Sequence, residues 1–278
     1  MTRADRTTAN GGWGRSRLLA TLAAGVAAAL LFVVGLVLAL YYGLRSSDTH
    51  PTTQPAVAKV AAPRTGPAYR DQAAAAPMLQ VAPDDTRQGV PAATAGPVIE
   101  VPPATALGRV QVPTGFPHTP EGAVGQLAAI ETTVLQGMSI PQTNQVYQQW
   151  ALAGGSGVAQ WALTRNVQNF LASAGQGQTK DPTVAVTATP AAGQVKATDG
   201  DDWVLACVLL DVRATITAEA RIGYGYCERM QWQQPAGQGG RWLIGPGAAA
   251  ATAPSTWPGT DLAFKAGWRT WVTSNGAD

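Results

Sequence analysis

One uncharged apolar segment constrains this chain more than any other feature. From Leu18 to Tyr42 there is no charged side chain. A transmembrane helix rises 1.5 Å per residue, so about 20 apolar residues cross a hydrocarbon core of roughly 30 Å. Tyr41 and Tyr42 fall where the aromatic belt of a membrane interface would lie. The sequence therefore predicts a single transmembrane helix over residues 18–42.

The charges on either side of this segment predict its orientation. Arginines, among them Arg15 and Arg17, dominate the residues before it, whereas Arg45 and Asp48 follow it closely and cancel. Positive residues stay on the cytoplasmic side, which predicts a cytoplasmic tail over 1–17, a plasma-membrane anchor and an extracytoplasmic remainder. The alternative is a cleaved signal peptide. Its apolar region is shorter and ends in a small-residue site, so the anchor is favoured.

The residues that follow the anchor are rich in proline and alanine. From Pro51 to Pro113 a proline recurs every few positions, and no apolar periodicity survives between them. Such a segment cannot bury enough apolar surface to fold, and proline extends it toward polyproline II. We expect residues 43–113 to form a disordered stalk with no binding role, reaching roughly 200 Å if fully extended.

The large aromatic residues place one packed domain at residues 114–278. All tryptophans except Trp13 lie between Trp150 and Trp271, and large rings build cores. Thr119 is placed to cap a helix N-terminus, with Pro120 at the first helical position and acidic Glu121 next to it. Apolar residues at helical spacing then predict helices over about 120–136, 142–151 and 158–174.

After residue 182 the apolar period changes from helical to two. Extended runs are predicted at 183–189 and around Val195, followed by long strands over 203–216 and 219–232 and a short one over 241–244. Three helices followed by an antiparallel meander indicate an α+β fold with its helices on one sheet face.

The two cysteines predict the register of the long hairpin. If the chain turns at Thr217, Cys207 lies opposite Cys227, and one face of both strands becomes almost wholly apolar. A slip by one residue would scramble both features. The pairing of Arg213 with Arg221 counts against this register. Opposed residues are close enough for a disulfide, which we predict between Cys207 and Cys227; two buried free cysteines are the alternative.

The polar residues do not indicate catalysis or a cofactor. The two histidines, His50 and His118, lie in proline-rich sequence, and no C-x-x-C motif occurs. Asp199-Gly-Asp-Asp202 is typical of a turn, and the glycines of 175–180 close a helix where a P-loop would open one. Asp211, Glu219 and Glu228 fit solvated or cross-strand charges. We expect no enzyme activity, no metal and no cofactor. With a net charge of +2 and no basic stripe, we expect no nucleic-acid binding.

Three stretches resemble a known family: residues 115–123 (GFPHTPEGA), 241–247 (RWLIGPG) and 255–261 (STWPGTD). They are similar to membrane proteins of actinobacterial integrative and conjugative elements, the TcpC and VirB-type single-pass subunits of type IV secretion systems. The resemblance implies a nuclear-transport-factor-like (cystatin-like) cone of about three helices on a curved antiparallel sheet. It also implies a non-catalytic scaffold whose partners are the plasma membrane, other channel subunits and further copies of itself.

The chain departs from that family by its long proline-rich segment and its single cone. The rival function is an envelope-associated accessory or small-ligand-binding protein, of the type that accompanies lipid importers, because such proteins share the anchor-plus-cone plan. Fold alone does not separate the two functions.

Overall fold

A computed structural model describes residues 64–215, 219–237 and 239–274. The predicted cytoplasmic tail, the anchor over 18–42 and residues 43–63 lie outside this part of the chain. Within it, no helix combines the length and apolarity that a membrane crossing requires.

Helices and strands follow one another in an α+β order. Helices α1 to α5 span Gly66–Ala75, Pro120–Gly137, Ile140–Trp150, Ala162–Ser173 and Asp261–Lys265. Strands β1 to β8 span Val98–Val101, Ala106–Leu107, Pro113–Thr114, Ala185–Thr198, Trp203–Thr215, Glu219–Gln233, Arg241–Ile244 and Arg269–Thr273. Short 3-10 turns occur at Pro83–Thr86 and Arg109–Gln111.

The three predicted helices are present, and local signals set their starts. The Thr119 hydroxyl accepts a hydrogen bond from Gly122 N at 3.0 Å, which confirms the predicted cap of α2. Ser139 accepts from Gln142 N and so starts α3 at Ile140, before the predicted start. Helix α4 starts at Ala162, later than predicted, because residues 158–160 form a turn and the backbone of Trp161 is extended, with a ψ of 130°.

Six strands form one sheet in the order β1-β8-β4-β5-β6-β7. Neighbours are antiparallel except for the outer pair, β1 and β8, which run parallel. The predicted hairpin register is confirmed, since Cys207 pairs with Cys227 and Arg213 with Arg221. The two extended runs predicted between 183 and 195 are one strand, β4, interrupted by register shifts after Pro190 and Val195.

Those irregularities let the sheet curl around α2. Register shifts bend a strand and increase its local twist, and α2 packs against β1, β4, β5, β6 and β7. The resulting core combines the inward face of α2 with the even-numbered face of β5. Its fully buried members include Leu127, Ile130, Val204, Val208 and Leu210.

The opposite face of the sheet is covered as well. Alternate residues of a strand point to opposite faces, and the odd-numbered residues Trp203, Leu205 and Leu209 of β5 are also buried. Ala74 of α1 packs on the first two, and Trp268 packs beside the third. The prediction of helices on one face holds for α2 to α4 but is wrong for α1, because both faces of β5 are apolar and both need cover.

The predicted stalk is wrong for residues 64–113, which belong to the folded unit. Ala74, Val101 and Val112 are fully buried, and β1 adds an outer strand to the sheet by pairing with β8. Proline spacing correctly excludes long helices here, but it says nothing about contacts with residues more than a hundred positions away in the chain. These distant contacts bury enough surface to order the segment.

Candidate functional site

The predicted cysteine pair lies at disulfide distance inside the fold. The sulfur atoms of Cys207 and Cys227 are 1.95 Å apart, and both residues are buried. Met78 covers the pair, with its Sδ 3.6 Å from Cys227 Sγ. The segment that was expected to be a stalk therefore shields this pair from solvent.

Of the other site residues predicted from the sequence, only Thr119 lies in the part of the chain that the structure describes. Arg15, Arg17, Tyr41 and Tyr42, predicted to flank the membrane, lie outside the described residues. Thr119 caps α2 as expected.

The predicted turn at 199–202 has a structural role. Asp199 accepts hydrogen bonds from Gly66 N, at 3.0 Å, and from Arg70, and so fixes the start of α1 on the sheet. His118 stacks on Trp232 at 4.3 Å between ring centroids, and its Nε2 is 2.9 Å from Asp202 Oδ1.

Two glutamates lie inside the core, whereas Glu228 was expected to be a solvated or cross-strand charge. Glu228, on β6, is 7 % exposed, and Glu131, on α2, is fully buried. Asp211, by contrast, makes the expected cross-strand contact, with two hydrogen bonds of 2.6 Å from Arg221. Sequence reasoning missed Glu131 altogether. Its position was a usable signal, because it follows buried Leu127 by four residues on the inward face of the helix.

Glu228 is surrounded by hydrogen-bond donors. Trp161 Nε1 donates to its Oε2 at 3.2 Å, the Tyr226 hydroxyl donates to the same oxygen, and Arg229 N donates to Oε1 at 3.0 Å. Burial raises the pKa of this carboxyl above its ordinary value, while the three donors oppose that shift by favouring the charged form.

Glu131 has no such support. Neither of its carboxyl oxygens has a hydrogen-bond partner among the described residues. Burial, and then the neighbouring Glu228, raises its pKa well above the ordinary value. An acid in this setting stays protonated where a surface glutamate is ionised. The core therefore holds one carboxyl with three donors and one neutral carboxyl with none.

An apolar cleft of about 320 Å³ opens beside Leu135, which follows Glu131 by one turn of α2. Its polar floor is a contact between α4 and β6, in which Asn166 Nδ2 donates to the Tyr224 hydroxyl at 2.6 Å. Burial, and then the proximity of Glu131, raises the pKa of Tyr224, so this hydroxyl stays protonated. The cleft is lined by Leu135, Met138, Asn166, Asn169, Phe170, Val186, Val212, Ala214, Ala220, Ile222 and Tyr224.

A larger hollow of about 690 Å³ lies along the outer side of α2. It is an open groove between Thr133 and Gln136 of the helix and Trp271 of β8, with Pro102 and Phe116 at its end. Its walls mix polar and apolar side chains, and none of the described residues that line it is titratable. The smaller cleft is the better candidate for a specific site, because polar atoms converge there on apolar walls.

Comparison with known proteins adds no assignment. No family model, curated protein or solved structure matches this chain. Across the described residues, no three histidine, cysteine, aspartate or glutamate side chains are grouped to hold a metal ion. The site is thus defined by its own geometry: an apolar cleft, a hydroxyl at its floor and a neutral carboxyl beneath.

Proposed function

We propose that this chain is a single-pass plasma-membrane protein whose outer domain is a non-catalytic assembly subunit of a conjugative, type IV secretion-like DNA-transfer channel. The proposal includes the finer fold: α2 to α4 held in a curved sheet form a nuclear-transport-factor-like cone. It also includes the topology, with residues 1–17 cytoplasmic, the anchor over 18–42 and the domain extracytoplasmic. Its partners are other channel subunits and further copies of the chain, without direct contact to nucleic acid.

The observation that carries this proposal is the structural role of the three stretches that resemble the conjugative family. Trp242 Nε1 donates to Pro117 O at 2.9 Å, which joins the second stretch to the first at the start of α2. The third stretch crosses the opposite sheet face, where Ser255 Oγ accepts from Gly225 N at 3.0 Å. Residues that hold layers together fit a scaffold better than an enzyme, whose resembling residues would surround reacting groups.

The cysteine pair supports the proposed location. Disulfides persist in oxidising compartments outside the cytoplasm, and Cys207 and Cys227 lie at bonding distance in the sheet. An extracytoplasmic domain would lie in such a compartment, where the two cysteines would stay bonded.

A clean deletion of the gene tests the channel function. Transfer of the mobile element should be abolished, while growth and DNA processing continue, because the subunit builds the channel and does not act on DNA. Complementation with the full chain should restore transfer, and a chain lacking residues 1–42 should not. Unchanged transfer in the deletion strain would contradict the proposal.

The apolar cleft favours a second candidate function, an envelope-associated protein that binds a small ligand. An assembly subunit needs no such cleft, nor a hydroxyl at its floor. Neighbouring genes separate the two candidates: a conjugative ATPase and a coupling protein favour the channel, whereas importer genes favour the ligand-binding protein.

A further inference from the structure

We propose that the cleft between α2, α4 and the β5–β6 hairpin binds a small, uncharged, mostly apolar molecule through one carbonyl oxygen, which accepts a hydrogen bond from Tyr224. This inference rests on the second candidate function and names the chemistry of its ligand.

The size and walls of the cleft set the apolar part of the ligand. A volume of about 320 Å³ is at the lower end of the range for small-molecule pockets, roughly 300–1,000 Å³. The walls include Leu135, Phe170, Val212 and Ile222, whose side chains contain only carbon and hydrogen. Exposed Ile222 lies at the rim. A flat or branched hydrocarbon body fits such walls.

The floor of the cleft determines which polar group the ligand carries. The Tyr224 oxygen accepts from Asn166 Nδ2, and its own hydrogen is given no acceptor by the described residues around it. A hydroxyl hydrogen without an acceptor in an apolar setting is costly. A carbonyl oxygen arriving through the cleft would accept it.

The charges around the floor exclude an ionic ligand. None of the cleft-lining side chains is charged, so an anion would have no counter-ion. It would also approach Glu131 and Glu228. A cation would bind only if fully buried Glu131 gave up its proton, which both burial and Glu228 oppose. A neutral carbonyl compound meets neither penalty.

Glu131 makes the affinity depend on pH. As a neutral acid it leaves the floor uncharged; once ionised, it places a negative charge close to Tyr224, and that charge repels the carbonyl oxygen. The titratable groups that face it are Glu228, Tyr224 and Tyr226, all on β6. Helix α4, which packs against α2, carries one charged residue, Arg165, and this residue is exposed to solvent.

A matched pair of probes tests the inference. 2-Acetylnaphthalene and 2-isopropenylnaphthalene have the same shape, but only the first has a carbonyl oxygen. Both are titrated by calorimetry into the full chain in lipid nanodiscs, with empty nanodiscs as the blank for partitioning. We expect the ketone to bind about tenfold more tightly, as one net hydrogen bond would give. As pH rises, ketone affinity should fall once Glu131 ionises, whereas hydrocarbon affinity stays constant.

Three substitutions locate the effect. Tyr224→Phe should remove the preference for the ketone, because it removes the donor and leaves the ring. Glu131→Gln should make ketone affinity independent of pH. Glu121→Gln, at the start of the same helix, is the matched control and should keep the pH dependence of the unaltered protein.

Each contrary result overturns a definite claim. Equal affinity of the two probes, or a ketone affinity that does not fall with rising pH, ends this inference and leaves the ligand-binding function standing. If neither probe shows saturable binding, both this inference and the ligand-binding function are wrong. The comparison of the two probes in the unaltered protein decides the central claim even if a variant fails to fold.

Discussion

Two glutamates in one core show how neighbouring residues set the state of a side chain. Glu228 lies among donors from Trp161, Tyr226 and Arg229, whereas no residue in the described part of the chain donates to Glu131. Leaving a buried polar group without partners costs about 1–3 kcal/mol. Glu131 is therefore a weak point of the core, retained at a position where leucine would pack.

The first prediction concerns Glu131→Leu. The native pKa of Glu131 is raised, so the unfolded chain releases this proton first, from about pH 4.3 upward. The unaltered protein therefore loses stability as pH rises from there to the native pKa, by at most about 1.4 kcal/mol per pH unit. Glu131→Leu should be more stable by at least about 1 kcal/mol, and its advantage should grow with pH over that window.

Urea unfolding followed by tryptophan fluorescence at several pH values measures this difference. Glu121→Leu, in the first turn of the same helix, is the matched control. It should gain no stability, because the Glu121 carboxylate interacts favourably with the dipole at the helix N-terminus. A stability advantage of Glu131→Leu that shrinks as pH rises would show that the acid has a partner in solution.

At the scale of elements, the β5–β6 hairpin is the most tightly specified part of the chain. Its register aligns Cys207 with Cys227 and places Val204 opposite Met230 on the other face. Arg213 and Arg221 lie opposite each other, which argued against this register. Asp211 contacts both arginines and offsets their repulsion. One acidic side chain thus compensates a like-charge pair.

The second prediction concerns the Cys207–Cys227 pair. The cysteines are separated by 20 residues, and a bridge of that loop size stabilises a fold by roughly 3 kcal/mol in the chain-entropy model. Changing both cysteines to alanine should lower Tm by roughly 6–12 °C in a domain of this size, with unchanged far-ultraviolet circular dichroism. Mass spectrometry of non-reduced peptides from envelope protein checks the bond, and two alkylated thiols there would contradict it.

At the scale of the whole molecule, the fold is a sheet covered on both sides. Helices α2 to α4 cover one face, and α1 with residues 248–268 covers the other. Arg229 ties the second layer to the sheet. Its Nη1 lies 2.8 Å from Asp71 Oδ1, and its Nε donates to Ala248 O at 2.9 Å. Segments from both ends of the described chain therefore complete the domain together.

The third prediction concerns the N-terminal boundary of the domain. A chain starting at Val112 loses α1 and β1 and exposes Trp203 and Leu205, so it should aggregate or bind hydrophobic dyes. A chain starting at Arg64 should be monodisperse and unfold cooperatively. Size-exclusion chromatography with light scattering and thermal unfolding compare the two.

Two substitutions in the chain starting at Arg64 control for length. Ala74→Glu places a charge at a fully buried contact with Trp203 and should destabilise the chain strongly, by several kcal/mol. Gln72→Glu, on the exposed side of the same helix, should change stability by less than about 0.5 kcal/mol. If Ala74→Glu and Gln72→Glu changed the stability equally, α1 would not pack on the sheet.

The sequence by itself determined the elements whose signals are local. Thr119 and Pro120 mark the start of α2, the apolar period marks α3 and α4, and the period of two with paired cysteines sets the β5–β6 register. Each rests on residues that are neighbours in the chain or in one hairpin, so spacing is enough to reveal it. The predicted anchor also rests on a local signal, but it lies outside the described residues and stays a prediction.

Only the tertiary structure decided the second covering layer and the buried acids. Ala74 is buried because Trp203 lies over it, and β1 is a strand because β8, near the other end of the chain, offers its edge. Glu131 and Glu228 differ because Trp161 from a distant loop, together with Tyr226 and Arg229 of β6, donates hydrogen bonds to Glu228, whereas no described residue donates to Glu131. Burial and pKa are properties of a three-dimensional neighbourhood, and residues far apart in sequence supply it, so no periodicity along the chain encodes them.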